Sequence, residues 1–210
     1  MTGIDRRSAL VAAALAGGMA AGAGTAQAAG RKRKAGAGEQ LDQLMARWQI
    51  EEVLLDYARG NDLGDIAMMR GCFWPESRHK HGGFDGTSTG FIDFAAGIVA
   101  KLLYCRHNIS NVSVRLRGDR AFSECYYSAH HRRVNKAGSG EEDIFFEGRY
   151  IDLFERRDGT WKIIRRRGMS DWTSPVTPAE SPFASQPPGS YALRSKDDEY
   201  YRMLALFEAG

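Results

Sequence analysis

Apolar residues recur with helical spacing along the first half of the chain and alternate along the second. Leu41, Leu44, Met45 and Trp48 share one helical face, and Ile50, Val53, Leu54 and Tyr57 continue it at i, i+3, i+4 and i+7. The helix begins near Glu39, and Gly60 is placed to end it. A short second helix follows, with Asp62 or Asp65 as its cap and Ile66, Met68 and Met69 inside. Cys72-Phe73-Trp74-Pro75 closes this unit, and residues 78–90, with two histidines and four glycines, read as a loop or short hairpin. Phe91, Phe94, Ala95, Ile98 and Leu102 mark a third amphipathic helix running to Tyr104.

The period then shortens to two. Strands are expected over 109–117, 120–134, 144–157 and 160–168, with turns at Gly118-Asp119 and Asp158-Gly159 and a charged loop at 135–142. Helices followed by an antiparallel meander define an α+β domain. Five of the six prolines lie between Pro175 and Pro188, so that stretch is neither helix interior nor central strand. It reads as an extended arm, after which 196–207 resume a helix with Tyr200, Met203, Leu204 and Phe207 on one side.

The first residues do not belong to this pattern. Asp5-Arg6-Arg7-Ser8, an Ala/Gly-rich stretch and Ala26-Gln27-Ala28 form a charged start, a weakly apolar middle and a small-x-small site. These are the parts of a secretory signal, and the paired arginines make it twin-arginine type, with cleavage after Ala28 and the periplasm as destination. The organisation expected is 1–28 signal, 29–38 basic linker, 39–175 folded domain, and 176–210 proline-rich arm and C-terminal helix. The Arg31–Lys34 run is either a solvated linker or a contact for acidic lipid.

Charge and cysteine usage narrow the function classes. A formal net charge of +3 over 210 residues argues against a nucleic-acid partner. No apolar run is long enough to span a bilayer, so no integral membrane segment is expected after processing. Cys72, Cys105 and Cys125 contain no C-x-x-C pair, and three buried thiols are expected. There is no G-x-G-x-x-G after a strand, no P-loop, no H-E-x-x-H and no G-x-S-x-G. What remains is a set of titratable residues without a named cofactor.

Asp62 sits just past the first helix, Tyr57 lies five residues earlier, and His107 opens the sheet. A carboxylate beside a histidine is a general base with an orienting partner. An arginine or tyrosine in the same hollow stabilises developing negative charge. Arg165, Arg166 and Arg167 lie on the last strand with alternate ones facing opposite ways. Structural readings stay open beside these: Asp62 as a helix cap, His107 as a core histidine, Arg166 as a surface strand residue. Arg149 is a second candidate, with an outward ion pair to Asp152 or Glu155 as its other reading. His130 and His131 face opposite ways, and His131 shares a face with Cys125 and Tyr127. Tyr104, Tyr126, Phe145 and Trp172 read as pocket wall or core. His79 and His81 with His107 offer a three-histidine metal site as the alternative to a metal-free one.

Several segments together resemble the SnoaL-like members of the nuclear-transport-factor-like superfamily. They are Tyr57-Ala58-Arg59-Gly60-Asn61-Asp62, His81-Gly82-Gly83-Phe84-Asp85-Gly86, His107-Asn108-Ile109-Ser110-Asn111, Gly148-Arg149-Tyr150-Ile151-Asp152, Phe154 through Ile163, and Arg166 through Asp171-Trp172. The resemblance covers about 40–175 and implies a cone-shaped curved sheet packed on three N-terminal helices. It implies catalysis by an Asp–His pair, as in the dehydratases and the dehydrochlorinase of the superfamily, and Asp62 and His107 match that pair. Arg166 matches the arginine five residues after the strand tryptophan, and Tyr57 the pocket tyrosine of the bile-acid enzyme. The reading is therefore a cofactor-independent lyase in which His107, oriented by Asp62, takes a proton and Tyr57 or Arg166 assists the departing group. His81, Tyr104, Tyr127, His131 and Trp172 are the expected substrate contacts, on a hydrophobic aromatic or polycyclic small molecule. No metal or other cofactor is called for. An isomerase or cyclase, or a periplasmic binding module, are the rival readings. A homo-oligomer is expected, a trimer before a dimer, with the arm and final helix reaching a neighbour.

Overall fold

A computed structural model describes residues 36–185, 187 and 189–210 of the chain; the proposed signal and most of the basic linker lie outside them. The first helix, α1 (Ala37–Leu63), runs past Gly60, which lies inside it against Met69. Termination falls to Gly64, whose φ of 68° is left-handed and lets its N–H reach back to Asn61 O. Asp62 therefore sits in the last turn of α1, not beyond it. The two halves of the apolar stripe part company. Ile50, Leu54 and Tyr57 are buried, whereas Leu41, Leu44, Met45 and Trp48 are exposed.

The cap of α2 (Ile66–Gly71) is Asp65, which accepts the N–H of Met68 at 3.1 Å. The chain then enters a strand that the spacing did not predict, β1 (Phe73–His81), and turns at Gly82-Gly83 into β2 (Phe84–Thr87). Helix α3 (Ser88–Val99) is capped by the Thr87 hydroxyl and ends earlier than expected. Leu102 to Tyr104 already belong to β3 (Leu102–Arg117). Strands β4 (Arg120–Val134), β5 (Glu141–Arg157) and β6 (Thr160–Thr173) complete the meander.

The strand order is β2-β1-β6-β5-β4-β3. Every neighbouring pair is antiparallel except β1 with β6, which run parallel with His79 opposite Arg166. The result is an α+β cone: helices packed on the concave side of a curled, unclosed, mainly antiparallel sheet. The core lies between α1 and that face, where Ala121, Cys125, Tyr127 and Ala129 of β4 meet Ile50, Leu54 and Tyr57. All three cysteines are buried free thiols.

The proline-rich segment folds back on its own domain. β7 (Thr177–Pro178) pairs with β5, and Phe183 donates its N–H to Glu141 Oε2 at 2.7 Å. The last helix, α4 (Glu199–Ala209), is capped by Asp198, and its Met203, Leu206 and Phe207 are exposed. Among the described residues, no helix is long and apolar enough to cross a membrane.

Candidate active site

Alternation decides which side chains enter the cone, and β-bulges change the alternation partway along two strands, β3 and β6. On β3, Cys105, His107 and Ile109 face inward until Asn111, at a φ of 51°, switches the inward set to Val112, Val114 and Leu116. On β6, Trp161 and Ile163 face inward, Ile164 is an extra residue in the register, and Arg166 and Gly168 then take the inner face. A second irregularity at Asp171 sends Trp172 outward and brings Thr173 back in.

The inward residues line a cavity of about 580 Å³ between the helices and the sheet. Its wall is aromatic and aliphatic, with Phe84, Phe91, Phe94, Ile98, Phe146, Tyr127 and Tyr150, and the polar groups are His81, His107, His131, Asn61, Tyr57 and Ser170. An apolar hollow with a few convergent polar groups is the usual form of a small-molecule site.

His107 is held by Asp62 from two directions. Its Nδ1 lies 2.8 Å from Asp62 Oδ1, and its backbone N–H donates to Asp62 Oδ2 at 3.0 Å. The carboxylate thus fixes both the ring and the strand that carries it. With Nδ1 committed, Nε2 is the nitrogen left for a molecule in the cavity. His131 stands beside it, ring centroids 5.7 Å apart.

The other cavity histidines are held neutral. Burial, with a contribution from Arg166, pushes His81 down to about 4, and burial with the nearby His107 and Arg194 pushes His131 down to about 3. His79 is not a loop residue but a buried one, stacked 3.7 Å from the Phe91 ring, and burial pushes it down to about 2. Burial likewise raises Tyr57, against the pull of Arg166, so its hydroxyl remains a proton donor. Burial pushes the Cys105 thiol up to about 12.

Arg166 is neither a surface residue nor part of the cavity lining. Its side chain is fully buried and forks onto Asp152 at 2.8 and 2.7 Å. The guanidinium lies 4.3 Å from the Tyr57 ring centroid and 4.2 Å from that of Tyr150. Burial opposes that charge, and the Asp152 carboxylate overcomes it, so Arg166 stays a cation. Cross-strand partnering sets His79, Arg166, Asp152 and Ser123 in one buried polar row beneath the cavity.

Of the expected site residues, the fold brings together Asp62, His107, Tyr57, His81, Tyr127 and His131. Tyr104 and Trp172 are corrections. Tyr104 faces outward against His130, at 5.1 Å between ring centroids, and Trp172 is half exposed beyond the Asp171 bulge. Tyr126 and Phe145 are exposed on the outer face, not pocket wall. Arg149 pairs outward, with Glu124 and Asp171 rather than Asp152 or Glu155. His79, His81 and His107 do not converge on one point. Among the described residues, the potential metal-binding atoms that do lie together belong to Cys105, His107 and His131, within 4.8 Å of one another. The sequence reading did not single out Asn61 or Tyr150 as site residues. The alternation that put Tyr127 inside would have found Tyr150, which stacks on it at 4.6 Å.

A curled, unclosed sheet with helices packed on its concave side is the cone fold of the nuclear-transport-factor-like proteins. This chain belongs to the SnoaL-like domain family, whose model matches residues 42–167. An uncharacterised protein of Mycobacterium tuberculosis is 26% identical over 129 residues, covering 59% of this chain and 84% of its own length. Among solved structures, a hexachlorocyclohexane dehydrochlorinase (LinA type 2) superposes with a TM-score of 0.59 at 22% identity, over 71% of this chain and 99% of that one. A protein assigned as a scytalone dehydratase from Novosphingobium aromaticivorans gives 0.58 at 20% identity, over 70% and 99%. At these identities the likeness is one of fold.

Proposed function

We propose that the protein is a cofactor-independent lyase acting on a hydrophobic aromatic or polycyclic small molecule. The observation that carries the reading is the grip of Asp62 on both the backbone and Nδ1 of His107 inside an apolar cavity. His107 Nε2 takes a proton from carbon next to an activating group. The C–H electron pair forms the new double bond, and the leaving group departs with its own bonding pair. Asp62 stabilises the imidazolium so formed. The Tyr57 hydroxyl is the donor placed to receive the departing oxyanion. Arg166, which the sequence offered for that task, acts from beneath by holding the Tyr57 and Tyr150 rings. Loss of water is the first form to test, and loss of formaldehyde or halide needs the same groups.

The experiment is a panel of aromatic alcohols and halides incubated with wild-type protein and His107→Ala, with products read by mass spectrometry. A product lighter by the leaving group, absent with His107→Ala, supports the lyase. A new product of unchanged mass would replace it with an isomerase, and binding without turnover with a carrier. Export by a twin-arginine route to the periplasm and assembly into a homo-oligomer, trimer before dimer, are parts of the same proposal. The first rests on Arg6-Arg7 and Ala26-Gln27-Ala28, the second on the exposed apolar stripe of α1.

A further inference from the structure

The family match stops at residue 167, yet the segment that follows β6 returns to the back of the Asp62–His107 pair. Arg194 donates to Asp62 O at 2.6 Å through Nη1 and to Val99 O at 3.3 Å through Nη2. Asp62 lies in the last turn of α1 and Val99 is the last residue of α3, and neither helix has a basic residue in its own last turn. Helix C-terminal carbonyls lack intrahelical donors and carry partial negative charge, so a cation there satisfies both needs. Arg194 serves two such ends at once, on the two helices that flank the cavity.

The segment carrying Arg194 is itself tied down. The Leu193 N–H donates to Asp198 Oδ2 at 2.7 Å, and Asp198 also caps α4 through the Tyr200 N–H at 2.9 Å. Two residues on, Lys196 pairs with Asp65, and the Tyr201 hydroxyl donates to the same carboxylate at 2.7 Å. Asp65 in turn caps α2. Arg194 is thus held between fixed points on either side of it.

We infer that Arg194 is a positioning residue for the acid–histidine pair: by clamping the ends of α1 and α3 it sets the Asp62 carboxylate against His107. The inference rests on the proposed role of that pair. Asp62 holds His107 by two short contacts, and a small shift of its backbone would break the Nδ1 contact first, since the ring is free to turn and the strand is not. Misplacement of about 1 Å can cost on the order of 10²-fold in rate.

The test is the tautomer of neutral His107, read from imidazole nitrogen chemical shifts in protein labelled at histidine. Wild type is expected to hold the Nδ1–H form, with Asp62 as acceptor. Arg194→Ala should move His107 toward the Nε2–H form that free imidazole side chains prefer, and Arg194→Lys should recover part of the wild-type signal. With a turnover substrate, Arg194→Ala should lower kcat about 10²-fold with little change in KM. Should Arg194→Ala not fold, Arg194→Met gives the same reading, since it keeps the side-chain length and removes the donors. An unchanged Nδ1–H tautomer in the Ala or Met variant, with only a lower melting temperature, overturns the inference and leaves Arg194 a tail anchor. The control is Asp62→Asn. If that variant keeps the Nδ1–H form, the pair itself has been misread, and the fault lies there rather than with Arg194.

Discussion

The His81 imidazole lies over the α-carbon of Gly168, its parallel partner on β6, so closely that a β-carbon at 168 would stand 2.5 Å from the ring. The glycine is what lets His81 lie flat against the sheet and form cavity wall. Gly168→Ala should push the ring into the cavity and cost about 1–3 kcal/mol, the usual range for overpacking. Urea denaturation and ligand titration check both effects. Wild-type stability with unchanged ligand affinity would show that the wall has slack.

His107→Ala and Asp62→Asn should each reduce kcat by about 10²–10⁴-fold. The double variant should be little worse than the poorer single one, because paired residues act as a unit. Steady-state kinetics on all three decide it. Multiplicative losses would mean that Asp62 and His107 serve separate steps.

Arg166 and Asp152 form a closed pair in the floor, and removing either partner strands the other charge. Arg166→Ala or Asp152→Asn should cost about 3–5 kcal/mol, while Arg166→Met with Asp152→Leu should recover most of that loss. Turnover by the folded double variant tells positioning from chemistry. If it is fully stable yet inactive, Arg166 touches the reaction more directly than the geometry allows.

Much of this fold was legible because alternation and helical period report directly on burial. The inward set of β4, from Ala121 to Ala129, could be written from the sequence, and so could the inward turn of His131 opposite His130. Where alternation misleads on β3 and β6, the physical source is the same. Extra residues at Asn111, Ile164 and Asp171 change strand parity, and a single chain gives no signal for a bulge. Strict alternation from Trp161 and Ile163 turns Arg166 outward, and strict alternation from Arg166 and Gly168 turns Trp172 inward; the extra residues reverse both. The missed strand β1 failed for another reason: Pro75, a charged run and two histidines mask the alternation of Ser77, His79 and His81.

The buried histidines make stability fall in acid. An unfolded histidine takes up its proton near pH 6.5, whereas His81 and His131 resist to about 4 and about 3. The unfolded state therefore binds more protons below 6.5, and each such group costs about 1.4 kcal/mol per pH unit down to its folded value. Urea midpoints should drop steeply from pH 7 to pH 5. His79→Phe, which keeps the stack on Phe91, should flatten that slope. Equal midpoints at the two pH values would contradict the burial of all three rings.

Leu41, Leu44, Met45 and Trp48 form an apolar stripe on α1 that the other described residues leave exposed. If a second copy covers it, Leu44→Glu with Trp48→Glu should shift sedimentation toward monomer while the near-ultraviolet spectrum of the core stays intact. A wild-type monomer at micromolar concentration would reject the proposed assembly.

The parallel seam between β1 and β6 also sets an order of events. His79 and Arg166 lie on the first and the last of the long strands, so the polar floor cannot exist until β6 has been made. Hairpins β3–β4 and β4–β5 can form as soon as they are synthesised, but the seam must wait for a long loop to close. Until then β5 presents an unpaired edge, with β1 still elsewhere. Cone completion is therefore a late, chain-wide step, and a nascent chain halted at Asp158 would carry an open sheet edge of the kind that pairs with other chains.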